Sequence, residues 1–159
     1  MQGRLKVADN FYLTAIADRL EIGRDGRIAL IDYKTGQLPK TADLKLGLAP
    51  QLPLEGAIAE AGGFADLPAA DLASLELWRL SGGRDAGKQK LLTGKDISIQ
   101  AAEALVRLQE LIAVFERPET PYLAHPRPGF PPRFDDYRHL SRLDEWASPG
   151  DKTAGSGTE

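Results

Sequence analysis

The sequence of 159 residues predicts an α/β or α+β fold, in which helices pack on the faces of a β-sheet. Two observations indicate this class. Two strand-like segments joined by a glycine-containing turn lie near the N-terminus, and a helix, another strand and a longer helix follow them. The composition, 42% hydrophobic and 27% charged, is ordinary for one globular domain.

The first two strands are predicted at residues 11–22 and 27–34. Segment 11–22 begins with β-branched and aromatic residues, and the run Gly23-Arg24-Asp25-Gly26 between the segments is a turn signal. Residues 3–7 are expected to add a further strand to the same sheet. A later strand is predicted at 75–80, where apolar and polar residues alternate.

Two helices are predicted, at residues 50–61 and 97–115. The first carries an apolar stripe and ends at two glycines, and the second has apolar residues at helical spacing. The polar stretch from 81 to 94 is interpreted as a loop or a short edge strand. The stripe of the first helix consists of Leu52, Leu54, Ala57, Ile58 and Ala61.

The C-terminal part is predicted to lack long regular elements. Prolines crowd the segment 118–132, and residues 137–146 are expected to form a small docking turn or helix. Residues after Ala147 are rich in Gly, Ser and Thr, which is typical of disorder. We therefore expect one domain over 1–146 and a disordered tail over 147–159.

Composition excludes several classes of function. The absence of cysteine excludes disulfides, cysteine-ligated zinc, iron–sulfur clusters and thiol catalysis. No apolar run approaches the roughly 18 residues of a membrane span, and the start lacks a secretory apolar region, so we expect a cytoplasmic protein. The net charge of −3 counts against a stand-alone DNA-binding domain, which is usually basic.

The turn between the first two strands places two carboxylates together. A three-residue loop over 24–26 needs only Gly26 in the left-handed conformation. Counting back from that loop, Asp18 falls directly opposite Asp32, with Cβ atoms about 5 Å apart on one face. A two-residue loop would shift the pairing and send Asp18 to the other face.

Lys34 lies two residues beyond Asp32 and shares its face. Two carboxylates on a largely apolar face repel each other, and a divalent cation such as Mg²⁺ or Mn²⁺ would relieve that repulsion. The alternative is that Asp18 and Asp32 are solvated strand residues with local charge patterning. An Asp-x-Lys spacing alone does not choose between the two.

Three motifs occur in order along the chain: Ala17-Asp18-Arg19-Leu20, Ile31-Asp32-Tyr33-Lys34-Thr35-Gly36 and Pro50-Gln51-Leu52-Pro53-Leu54-Glu55. Together they resemble the RecB-like branch of the PD-(D/E)XK nucleases, and within it the C-terminal nuclease domain of AddB-type subunits. The resemblance extends over most of the chain, through 62–64 and 121–123 to 137–146.

This resemblance implies a restriction-endonuclease-like central mixed sheet flanked by helices, and roles for five residues. Asp18 and Asp32 would be metal ligands for Mg²⁺ or Mn²⁺, with the Tyr33 carbonyl as a further ligand. Lys34 would position or activate the attacking water and stabilise charge on the phosphate. Gln51 would support the active site or contact DNA.

The implied function is that of a metal-dependent deoxyribonuclease domain in an AddAB-type double-strand-break repair complex. Its partners would be DNA and an AddA-type helicase–nuclease subunit. One alternative is a catalytically inactive nuclease-fold scaffold for DNA guidance or subunit docking. Another is the same metal-dependent fold acting on RNA or on a structured junction.

The sequence departs from the family pattern in three respects. Glu55 stands where the family often has a tyrosine, four residues after the glutamine, and this weakens the expected DNA contact by the helix. The family's upstream helix with a further metal ligand is missing, so we expect a fragment that begins inside the nuclease domain. The iron–sulfur cluster of some AddB proteins cannot form on a chain without cysteine.

Scattered basic side chains are candidates for contacts with the DNA backbone. The alternative, solvated surface charges, is at least as strongly favoured. The candidates are Arg4, Lys6, Lys40, Lys45, Lys88, Lys90 and Arg138.

Overall fold

The computed structural model describes residues 1–82, 87–92 and 96–123, apart from the side chains of Lys45 and Asp96. The chain divides into two compact units, Met1–Glu116 and Arg117–Glu159. The elements described below lie in the first unit. They are β1 (Gln2–Ala8), β2 (Phe11–Ile16), β3 (Arg19–Ile22), β4 (Ile28–Lys34), α1 (Thr41–Lys45), α2 (Gln51–Glu60), β5 (Leu72–Arg79), β6 (Lys88–Leu92) and α3 (Asp96–Phe115).

A four-stranded mixed sheet has the order β3-β4-β5-β6. β4 and β5 are parallel, and each of them pairs with an antiparallel neighbour at the edge. Parallel strands need a long crossover, and here the connection contains α1 and α2. A mixed sheet with helices packed on it confirms the predicted fold class.

The single strand predicted at 11–22 is wrong, because the chain changes partner at Ala17. β2 pairs with β1 in a separate two-stranded sheet, whereas β3 pairs with β4. Ala17 donates its N–H to the Met1 carbonyl (2.9 Å), and its own carbonyl accepts from the Met1 nitrogen (2.8 Å). The strand predicted at 3–7 is therefore present as β1, but in this second sheet.

The later elements agree with the predictions more closely. β5 begins three residues earlier than expected, at Leu72. The stretch 81–94, predicted as a loop or a short edge strand, contains the edge strand β6. The short helix α1 falls in a segment for which no helix or strand was predicted. α2 and α3 lie where expected, and Gly62, with φ +68°, follows α2 in a left-handed conformation that favours glycine.

The C-terminal predictions fall largely outside the described residues. Residues 118–123, which include two of the prolines, contain no helix or strand. The docking turn over 137–146 and the disordered tail over 147–159 lie beyond the part of the chain that the structure describes.

The core lies between α2, α3 and one side of the four-stranded sheet, which we call the inner face. Ile28, Leu30, Leu75 and Ile58 are almost completely buried there. Gly56 lets α2 approach β5 closely, because an added Cβ would lie 2.9 Å from a methyl group of Leu72. On the inner face, the start of β4 is therefore apolar, and the polar residues Asp32 and Lys34 lie at its end.

The stripe predicted for α2 is correct only in part. Leu52, Ala57 and Ile58 are buried, but Leu54 is only partly buried and Ala61 is exposed. Other buried positions of α2 are Pro53, Glu55, Gly56 and Ala59. This helix is enclosed on more sides than a single amphipathic stripe would require.

None of the helices in the described ranges has both the length and the hydropathy that a bilayer crossing requires.

Candidate active site

The turn between β3 and β4 has the three-residue loop that the sequence predicted. Gly26 has φ +79°, in the left-handed region. Gly23 donates its N–H to the Arg27 carbonyl at 2.8 Å, which closes the loop over 24–26. The register of the hairpin is therefore the one that directs Asp18 toward Asp32.

The ladder itself stops one pair short of these acids. Its last pair is Arg19 with Ile31, and the next pair in the same register would be Asp18 with Asp32. Instead of continuing the ladder, Asp18 Oδ2 accepts a hydrogen bond from the Tyr33 N–H at 2.9 Å. The acid therefore reaches β4 through its side chain.

The break at Ala17 explains this exchange. Hydrogen-bonded pairs alternate along an antiparallel ladder, so the Ala17 carbonyl would be the regular acceptor for the Tyr33 N–H. That carbonyl is already paired with Met1. The Asp18 carboxylate takes its place and is held beside the end of β4, next to Asp32.

Asp32 is the central acid of the site and is 4% exposed. Its Oδ1 accepts hydrogen bonds from Lys34 Nζ (3.1 Å) and Gln51 Nε2 (2.9 Å). Its Oδ2 lies 3.0 Å from Lys34 Nζ in an ion pair. That oxygen is nevertheless buried and accepts no hydrogen bond from any described residue.

Gln51 closes a ring with Asp32 and Lys34. Its Oε1 accepts from Lys34 Nζ at 2.9 Å, while its Nε2 donates to Asp32. Because Gln51 is the first residue of α2, the start of this helix delivers the amide to the end of β4. The structure thus brings together Asp32, Lys34 and Gln51, which are three of the five residues given site roles by the resemblance.

Glu55 is a site residue that the sequence analysis missed. It lies one helical turn after Gln51, and Gln51 Nε2 donates to Glu55 Oε1 at 3.2 Å. The side chain is 5% exposed. Burial raises the pKa of Glu55, the Gln51 hydrogen bond opposes that rise, and the charges of Asp32 and Asp18 add to it.

A signal for Glu55 was present in the sequence. The four-residue spacing puts it on the same side of α2 as Gln51. Its neighbours Leu52, Leu54 and Ala57 belong to an apolar helix, where an acid is unusual. The sequence analysis treated Glu55 only as a departure from the family tyrosine, and it did not consider the carboxylate as a site group.

The side chain of Tyr33 lies on the opposite side of the sheet from Asp32 and Lys34. Its hydroxyl accepts from Arg19 Nη1 at 3.3 Å. Its ring meets Trp78 edge-on, with 6.0 Å between centroids. At the site, the Tyr33 backbone contributes its N–H to Asp18, and the role of its carbonyl as a metal ligand stays a prediction.

The donor set of the site suits a hard divalent cation. Asp32 Oδ2 is a buried carboxylate oxygen without a hydrogen bond, and Asp18 and Glu55 bring further carboxylates nearby. The fit is not that of a ready-made cage. Within residues 1–82, 87–92 and 96–123, no group of three or more His, Cys, Asp or Glu is arranged to hold a metal ion.

Comparisons with known proteins agree with this geometry. A family model described as the PD-(D/E)XK nuclease superfamily matches residues 2–128. An uncharacterized protein of Rickettsia typhi is 35% identical over 83 residues, which is 52% of this chain and 10% of that protein. Uncharacterized proteins of Rickettsia conorii and Rickettsia bellii are 40% and 42% identical over 58 and 55 residues, covering 36% and 35% of this chain.

The matched regions are 7% of the Rickettsia conorii and Rickettsia bellii proteins. This chain therefore spans a tenth or less of the length of these curated relatives. No solved structure gave a significant match.

Proposed function

Because this chain belongs to the PD-(D/E)XK nuclease superfamily, we propose that it is the metal-dependent deoxyribonuclease domain of an AddAB-type double-strand-break repair complex. It would hydrolyse phosphodiesters in DNA that an AddA-type helicase–nuclease subunit has unwound, in the cytoplasm. The superfamily supports nuclease activity and the use of divalent metal ions in general. The AddAB assignment rests on the three sequence motifs.

The observation that supports a hydrolytic site best is the ring formed by Asp32, Lys34 and Gln51. It holds a buried carboxylate, an ammonium group and an amide within 3.1 Å of one another. A core has no need of such a charged group, because burying it costs free energy. A binding site for a cation and a phosphate does need it.

In the proposed mechanism, the carboxylates of Asp18 and Asp32 and the Tyr33 carbonyl would hold a divalent ion. When bound, that ion supplies a water of lowered pKa and relief of negative charge on the phosphate. Asp18 is kept in place by the Tyr33 N–H. Asp32 is kept in place by Gln51 and Lys34.

Lys34 would stabilise the negative charge that develops on the phosphate. Its side chain is 32% exposed, so its ammonium group reaches the surface while it contacts Asp32. A fixed positive charge at such a position acts in the transition state without rearrangement. Gln51 orients it, because turning the amide over would break the bonds to both Lys34 and Asp32.

Cleavage of a labelled single-stranded oligonucleotide in Mg²⁺ tests this proposal with Asp32→Asn and Lys34→Met. We expect each variant to lose about 10²–10³-fold or more in rate. Matched controls are Asp71→Asn and Lys6→Met, which are exposed and outside the site. Wild-type rates for either site variant would refute the mechanism.

The AddAB assignment needs its own test in a complex of the full-length protein with a purified AddA-type subunit. We expect Asp32→Asn to stop cleavage of one strand while unwinding continues. A complex that fails to form, or that cuts both strands as the wild type does, would remove the assignment and leave the nuclease proposal standing.

The second candidate function is the inactive scaffold for DNA guidance or subunit docking. Two observations favour it: the lack of a preformed ligand cluster among the described residues, and the engagement of one Asp18 oxygen by the Tyr33 N–H. A scaffold would bind DNA or its partner without metal-dependent turnover. The oligonucleotide assay therefore separates the two functions directly.

A further inference from the structure

A row of basic residues crosses the inner face of the sheet beside the candidate active site. The strand register places Arg79 of β5 next to Lys34 of β4, and Lys88 of β6 next to Arg79. Laterally adjacent residues in a sheet point to the same face, and neighbouring strands are about 4.8 Å apart. We propose that Arg79 and Lys88 bind backbone phosphates of the single DNA strand that occupies the site.

Arg79 has the chemistry of an unfilled phosphate site. The Leu80 N–H donates to the Lys34 carbonyl at 2.9 Å and keeps the ends of β4 and β5 aligned. Arg79 Nε is buried and has no hydrogen-bond partner, and within the described ranges Arg79 forms no ion pair. A buried N–H group normally has a partner. The Arg79 side chain as a whole is only partly buried, and its planar fork matches a phosphate.

Lys88 and Lys90 extend the positive charge onto β6. Lys88 is exposed and has no acidic partner among the described residues. Lys90 lies two residues further on the same face, opposite Leu77. Its Nζ donates to the Pro39 carbonyl (2.8 Å) and to Thr41 Oγ1 (3.1 Å), both uncharged, and it forms no ion pair with a described acid.

Some basic residues elsewhere in the described chain are compensated locally, whereas Arg4, Arg24, Lys40 and Arg117 form no ion pair among the described residues. Each of four surface cations forms an ion pair with an acid two to four residues away, so it offers little to a phosphate. These pairs are Lys6–Asp9, Arg19–Glu21, Arg27–Asp25 and Arg107–Glu103. Uncompensated charge beside the site is what allows a chain with net charge −3 to attract a polyanion.

This inference rests on the proposed nuclease function and names the substrate contacts of the same site. It can be tested without cleavage, by measuring the binding of a single-stranded DNA oligonucleotide by fluorescence anisotropy at several salt concentrations. The chain would carry Asp32→Asn, so that no turnover disturbs the measurement. Failure of the proposed function would appear as no metal-dependent cleavage by the wild-type chain, and failure of this inference as an unchanged salt dependence of binding in the Arg79 and Lys88 variants.

For a single strand, each phosphate contact contributes about 0.7 to the slope of log K against log salt. We expect Arg79→Gln and Lys88→Gln each to reduce the slope by about 0.7, and the double variant by about 1.4. The controls Lys6→Gln and Arg27→Gln should leave it unchanged. Arg79→Lys should keep the slope, because it keeps the charge.

Three results would overturn the inference: no binding at low salt, an unchanged slope in the double variant, or an equal loss in the controls. The Arg79→Lys variant protects against a misleading loss through misfolding. If Arg79→Gln and Arg79→Lys both abolish binding and both lose the circular dichroism signal, Lys88→Gln alone decides, since Lys88 is exposed.

Discussion

Each face of the four-stranded sheet carries carboxylates close to its central strands, and the two faces surround them differently. On the outer face, opposite the helices, Glu76 of β5 accepts hydrogen bonds from Ser74 Oγ, Trp78 Nε1 and Gln89 Nε2, each at 2.8 Å. On the inner face, Asp32 has one buried oxygen without any hydrogen bond from the described residues. Glu55 there shares the single amide of Gln51 with Asp32.

The pKa shifts of the two glutamates follow these surroundings. Burial pushes the pKa of Glu76 upward, but the hydrogen bonds from Ser74, Trp78 and Gln89 outweigh it and the pKa falls. Burial raises the pKa of Glu55, and the single bond from Gln51 does not offset it. The outer carboxylate is a structural group with its donors in place. On the inner face, Asp32 and Glu55 share the Gln51 amide and Asp32 pairs with Lys34, which leaves negative charge that a bound cation would neutralise.

The comparison implies that the inner face owes its stability to its apolar residues. The side chain of Leu75 is fully buried on that face. We expect Leu75→Ala to lower the free energy of unfolding of the protein by about 3 kcal/mol. Leu91 on β6 is 49% exposed, and Leu91→Ala should lose less than about 1 kcal/mol. Urea denaturation measures both.

The matched pair makes this prediction specific to burial. Both substitutions remove the same atoms from strands of the same sheet. Equal losses of unfolding free energy would mean that the apolar core under the site is not where the stability lies.

Much of this sheet could be predicted from local sequence, and the parts that could not depend on distant pairing. Gly26 indicated the loop length, and the loop length placed Asp18 toward Asp32. The break at Ala17 was invisible because residues 11–22 have one continuous strand composition, and only the pairing of Ala17 with Met1 interrupts them.

The site was predictable in the same uneven way. The order of the motifs placed Asp32, Lys34 and Gln51 together, but Glu55 was treated as a departure from a tyrosine. Arg79 was not among the basic residues considered for DNA contact, because its position beside Lys34 follows from the parallel pairing of β4 with β5. That pairing brings together residues 45 positions apart in the sequence (79 − 34).

Removing the charge of Glu76 should destabilise the protein at neutral pH. Glu76→Gln replaces an oxygen that accepts hydrogen bonds with an amide that donates them, facing the donors Trp78 and Gln89. We expect a loss of about 1 kcal/mol, less than for a fully buried group because Glu76 is partly exposed. Thermal or urea unfolding at pH 7 measures it.

The loss should depend on pH in a definite direction. The pKa of Glu76 is lowered from its ordinary value of 4.5 in the folded protein. The carboxylate therefore contributes stability that is full above pH 4.5 and is lost as the pH falls through the folded-state pKa. A difference between wild type and Glu76→Gln that persisted at the lowest pH would contradict an electrostatic origin.

Removing the charge of Glu55 should have the opposite sign and the smallest size. Its carboxylate is buried with Asp32 and Asp18 nearby, and one amide serves two acids. Glu55→Gln keeps the shape and removes one like charge, so the metal-free protein should gain a few tenths to about 1 kcal/mol. Urea unfolding at pH 7 in EDTA measures the gain.

The control is Glu60→Gln on the same helix, where Ser98 Oγ donates to a partly buried carboxylate. This substitution should not stabilise the protein. A loss of stability in Glu55→Gln would mean that the Glu55 carboxylate is stabilised by its surroundings as Glu76 is on the outer face. The inner carboxylates would then need no cation.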